Sequence, residues 1–200
     1  MTYNPGDYSL KKIDDRDAAE SIVGRTIVDT EDDLYKKYID QGEYLDFEDS
    51  LEIARRFTAG DPSEPDSRIA SDIHASVADE LGIEDYSELK MYSGMQTPLA
   101  DKHKVHGVLE LGKKEDDIRI TMNALLDEEQ AEKIRERGGN INADILLGGV
   151  PDYKAEKEEY KEYLKNITEE ITNKFKEEQA EKERRDKEQA EFRRKIPGLR

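Results

Sequence analysis

The 200-residue sequence contains no cysteine. That excludes disulfides and thiolate metal ligands, and it suits a reducing, cytoplasmic setting. No run of about 18 apolar residues occurs, so no membrane-spanning helix is expected. Residues 1–15 lack a basic flank followed by an apolar block, so no secretory signal is expected either. Catalytic signatures are missing as well. There is no Gly-x-Ser-x-Gly, and neither Gly138-Gly139 nor Gly148-Gly149 is followed by Gly-Lys-Ser/Thr. The acids Asp29, Glu31, Asp32 and Asp33 cluster without the glycine and oxygen-ligand spacing of a calcium loop. No catalytic residue and no cofactor is therefore assigned.

Basic residues are also in short supply. Lys and Arg number 32 against 49 Asp and Glu, a net charge of −17. Residues 152–200 hold 14 of each sign, so the first 151 residues carry the whole imbalance. Within them, residues 14–85 hold 22 acids and 7 bases, a net of −15. Such a surface repels phosphate backbones, so direct nucleic-acid binding is disfavoured, and a basic protein partner is favoured instead. Charged residues make up 40% of the chain and hydrophobic ones 34%, which leaves part of it outside any packed core.

What is present reads as α+β (mixed α/β). Residues 1–13 read as a flexible arm, 14–90 as an acidic helical region, 91–150 as a sheet-containing core, and 151–200 as a long C-terminal helix. In the acidic region Ala18, Ile22 and Val23 suggest a short helix interrupted by Gly24. Leu34, Tyr35, Tyr38 and Ile39 suit one helical face. Asp46 is placed to cap a helix through Phe47, Leu51, Ala54 and Phe57. After the turn cluster Asp61-Pro62-Ser63-Glu64-Pro65, Ile69, Ile73, Val77 and Leu81 recur every four residues and Gly82 follows. The opposite face of that helix carries Arg68, Ser71, Asp72 and Asp79, and His74 lies on its border as partly exposed packing.

Residues 104–111 and 118–122 are two β-rich runs around a polar connection and predict a hairpin. A helix from Asp127 and a strand over 141–147 follow, an order that permits a parallel pair. The expectation is a small three-stranded mixed sheet packed with several helices. The C-terminal helix places Tyr160, Leu164, Ile167, Ile171 and Phe175 on one stripe, at spacings of 4, 3, 4 and 4. That stripe should bury against the body or another chain, which makes it the candidate site for a protein partner or for self-association. From 176 to 191 the only apolar side chains are Ala180 and Ala190, so the distal half should be solvated and held by Glu-to-Lys/Arg pairs.

His103 and His106 are the two clustered histidines, and Glu110 lies nearby; these three are the metal-ligand candidates. If 105–111 is a strand, residues three apart point to opposite faces, which argues against a shared site. Thr97-Pro98-Leu99-Ala100-Asp101, the run His103 to Glu110, and Ile118-Arg119-Ile120-Thr121-Met122-Asn123 together resemble the core hairpin of restriction-endonuclease-like, PD-(D/E)xK-type proteins. In that family two acids and a lysine bind a divalent metal and a phosphate. The aligned positions here are His106, Arg119 and Thr121, so the resemblance implies a nuclease-like fold that has lost catalysis. Three functions follow from these readings: a non-enzymatic interaction or structural protein, an acidic nucleic-acid mimic that inhibits a basic protein, and a catalytically degenerate nuclease-like protein.

Overall fold

The computed structural model describes residue 17 and residues 19–41, 45–112, 118–125 and 143–195. The arm at 1–13 and the helix expected from Asp127 lie outside these residues. Residues 19–23 are helical and stop at Gly24, whose φ of 93° favours glycine. The helix α1 (Asp33–Gln41) follows, then α2 (Phe47–Phe57) and α3 (Arg68–Leu81). Local chemistry sets their ends. Asp32 Oδ1 accepts from the amides of Leu34 and Tyr35, and Asp46 accepts from Asp49 N. Gly82, in the left-handed region, closes α3.

The sheet comprises β1 (Leu89–Ser93), β2 (Gly107–Leu111), β3 (Ile118–Ala124) and β4 (Ile145–Leu147), in that spatial order. The short helix α4 (Pro98–His103) connects β1 to β2, and α5 (Lys157–Lys195) ends the fold. The expected hairpin is present as the antiparallel β2–β3 pair, and β4 runs parallel to β3. The sheet has four strands rather than three. The additional strand, β1, is five residues long and buries Leu89 and Met91 on one face and Tyr92 on the other. In so short a run, with Tyr92 buried opposite Leu89 and Met91, Lys90 is the one exposed position that marks a period of two.

Strand alternation divides the core into two layers. Leu89, Met91, Leu109, Ile120, Met122, Ile145 and Leu147 face α3, α5 and residues 19–23. On the other face Val108 packs with Leu51 and Ala54 of α2 and Leu99 of α4. Beyond α2 lies a third cluster that includes Tyr35, Ile53 and Phe57. His74 is fully inside the first layer, contrary to its expected partial exposure, because its Nε2 reaches the Leu89 carbonyl at 2.8 Å.

Gly94 sits where the turn after β1 meets the segment entering β2. Its amide donates to the His106 carbonyl at 2.8 Å, and a Cβ added there would lie 2.6 Å from the Val105 carbonyl oxygen. The closest atom is backbone, which cannot yield as a side chain would. Gly94→Ala is expected to cost about 1–3 kcal/mol, seen as a lower urea midpoint with an unchanged slope.

Candidate functional site

The described residues present three regions with functional potential: the surface of α5, a buried ion-pair layer, and a cleft near the start of α3.

The stripe of α5 is placed on the body of its own chain. Tyr160, Ile167, Ile171 and Phe175 are buried, and Leu164 packs against the same cluster half-buried. The main helix contact is with α3, and β3 and β4 complete the seat. At the start of α5, Asp152 and Glu156 order the entry: Asp152 Oδ1 accepts from Lys154 N and Ala155 N, and Asp152 N donates to Glu156 Oε2. Tyr160 Oη then donates to Asp72 Oδ2 at 2.8 Å, and Arg68 Nε donates to the same oxygen at 2.7 Å. Burial and the Asp72 carboxylate together raise the Tyr160 pKa, so the hydroxyl stays a donor. The Arg68 guanidinium also lies 5.7 Å from the Tyr153 ring centroid. Part of the polar face of α3 is thus a docking surface for α5.

Beyond Phe175 the burial stops. From Lys176 to Phe192 every side chain is exposed except Glu178 and Lys182, which are half-buried. Phe192 is 63% exposed. Twenty residues of helix project about 30 Å at 1.5 Å per residue.

The metal-ligand candidates are not brought together. His103 Nε2 contacts the Leu45 carbonyl at 3.2 Å, and its ring meets Phe47 edge to face. His106 precedes β2, with Nδ1 lying 3.0 Å from the Ala124 carbonyl and 3.1 Å from the Ala124 amide. Glu110 lies under α2, where its carboxylate is taken by Arg55. No group of three or more His, Asp or Glu side chains among the described residues is placed to hold a metal. At the positions aligned with the nuclease-like acids and lysine, His106 is held by Ala124, Arg119 by carboxylates, and Thr121 Oγ1 donates to Asp144 Oδ2 at 2.7 Å.

Glu110 instead anchors an ion-pair layer. Its side chain is 5% exposed. Arg55 from α2 donates to both oxygens, Nη2 to Oε1 at 2.5 Å and Nε to Oε2 at 3.3 Å. Arg119, its cross-strand partner, brings Nε to 3.0 Å from Oε1, an ion-pair distance without hydrogen-bond geometry. Arg119 Nη1 in turn donates to Glu48 at 2.6 Å. Sequence reasoning placed Glu110 in a metal set because acids near histidines invite it. The signal for its actual role is its register opposite Arg119.

The cleft encloses about 450 Å3. It opens between residues 20–25, the segment 58–69 and Tyr153. Val23, Ile69 and Met91 form its apolar wall. Glu20, Asp61 and Asp66 line it against Arg25 and Arg68, the last already paired with Asp72. In sequence, residues 61–65 read only as a turn cluster, and nothing there announces a concavity.

Comparison with protein-family models, with characterised proteins and with solved structures gives no match to this chain.

Two outcomes follow for the buried charges. Glu110→Ala leaves two guanidinium groups inside without their shared acceptor and should lower the unfolding free energy by about 2–3 kcal/mol in urea titration. His106 supplies a pH effect. Burial, the largest influence, lowers its pKa below 6.5, so the folded state binds fewer protons than the unfolded one. Stability should therefore fall as pH drops from about 7 to about 5.5, and His106→Gln should flatten the urea midpoint across that window.

Proposed function

We propose that this chain is a non-enzymatic interaction protein of the cytoplasm, in which the distal half of α5 is the arm that engages a protein partner. The observation that carries this reading is the division of α5 at Phe175. The proximal stripe is consumed by the chain's own core, while the next twenty residues contribute little to the body's packing. Beyond Phe175 the helix adds no side chain to the described core clusters. The absence of cysteine fits the compartment.

The acidic body adds a preference for a basic partner surface. Arg55, Arg56, Arg68 and Lys36 are paired internally with Glu110, Asp32, Asp72 and Glu31. These four cations are spent within the body, whose sequence carries acids in excess of its bases. This also keeps the nucleic-acid-mimic reading in view. A mimic would hold its target through the body alone, with strong salt dependence.

Truncation after Lys176 separates these readings. The body should keep its unfolding free energy in urea titration to within about 0.5 kcal/mol, because few buried groups are removed. A photo-crosslinker at Gln189 of the full chain should trap the partner in the source cells, and the shortened chain should lose that complex. If the shortened chain retains the complex and salt disperses it, the body binds and the arm reading is wrong.

A further inference from the structure

Beyond Phe175 the stripe of α5 loses its hydrophobicity, and the next large apolar side chain is Phe192. It lies about 25 Å further along the helix and about 100° round it from Phe175. By sequence, residues 184–195 hold six basic and three acidic residues, which makes the tip the basic end of an acidic protein. The cleft offers an apolar wall of Val23, Ile69 and Met91 beside the acids Glu20, Asp61 and Asp66, which outnumber its bases Arg25 and Arg68, the latter paired with Asp72. Its volume of about 450 Å3 is within the range of pockets that enclose compact apolar groups.

The tip cannot enter the cleft of its own chain. Tyr153, four residues before α5, lines the cleft, and Tyr160 is tied to Asp72 in the first turns of α3. From there α5 passes Ser76 and then Asp79 and Glu80 as it proceeds, away from the cleft. Phe192 lies about 50 Å along the axis from the first residue of α5. The exposed aromatic and the cleft thus sit at opposite ends of one continuous helix.

We infer that the tip of α5, with Phe192 as its anchor, seats in the cleft of a second copy of this chain. The inference rests on the reading of α5 as an interaction arm and names its partner. The contact is heterologous within one pair of surfaces. It closes if two copies exchange tips about a two-fold axis and otherwise extends head to tail. The opposite charges of tip and body make it salt-sensitive.

Sedimentation equilibrium on the full chain tests this. Association should depend on protein concentration and weaken as salt rises. Phe192→Ala removes only an exposed side chain and should raise the dissociation constant about tenfold or more. Ala59→Trp, which fills the cleft, should do the same. Asp66→Lys takes its place if circular dichroism shows that Ala59→Trp does not fold. Mixing the two defective proteins should restore a one-to-one dimer, since one supplies an intact cleft and the other an intact tip. A chain that stays monomeric, an association indifferent to Phe192→Ala, or a mixture that fails to pair would each overturn the inference. If the monomeric chain still loses its cellular complex on truncation after Lys176, only the second-copy assignment fails. If truncation changes nothing, the arm reading fails with it.

Discussion

Three side chains of α5 cover the face of the sheet that α3 alone leaves open. Ile167, Ile171 and Phe175 bury against a layer containing Ile120, Met122, Ile145 and Leu147. Each buried side chain of this size is worth about 1.5–3 kcal/mol. Without them the edge of the sheet formed by β3 and β4 would face water on its apolar side. β4 is only three residues long, and among the described residues it pairs with β3 alone. Its place depends on that cover more than on its own hydrogen bonds. The clasp of Arg68, Asp72 and Tyr160 then fixes where along α3 the helix begins its descent.

The second face of the sheet is held differently. There α2 and α4 bring fewer apolar side chains, and Glu110 takes the centre with Arg55 and Arg119 around it. A buried carboxylate between two guanidinium groups gives little net stability over an apolar alternative, but it penalises any register that separates the three. Arg119 is the direct cross-strand partner of Glu110, and Arg55 comes from α2. The network therefore couples the β2–β3 register to the position of α2. The price of that coupling is polar atoms in the layer, and a core built only of leucines would not specify the same alignment.

Much of this was legible from residues alone. The four-residue recurrence of Ile69, Ile73, Val77 and Leu81 marks α3, and Asp46 marks the start of α2, because one-sided burial and capping leave local traces. The hairpin of β2 and β3 and the α5 stripe are equally local. β1 was not legible: it is five residues long, and Tyr92 is buried on the face opposite Leu89 and Met91, so Lys90 alone marks an alternation. The same reason hid His74, whose partner, the Leu89 carbonyl, belongs to that strand. The regions of functional interest were the least visible. Glu110 reads as a metal-ligand candidate until its cross-strand neighbour is known, and the cleft is assembled from segments separated by more than a hundred residues in sequence, from Glu20 to Tyr153.

The length of α5 has its own logic. An isolated helix of twenty charged residues is marginal in water, because nucleation is unfavourable and each Glu–Lys pair adds only about 0.2–0.5 kcal/mol. Here the docked half supplies the nucleus. Residues 157–175 are fixed by burial, so propagation past Phe175 needs no new initiation, only residues with good helix propensity. The run from Lys176 to Glu191 supplies them in Glu, Lys, Arg, Gln and Ala. The projecting half is therefore a stiff extension of the core rather than a tether. A stiff extension carries Phe192 to one defined distance and direction from the body, which a flexible tail of the same composition could not do.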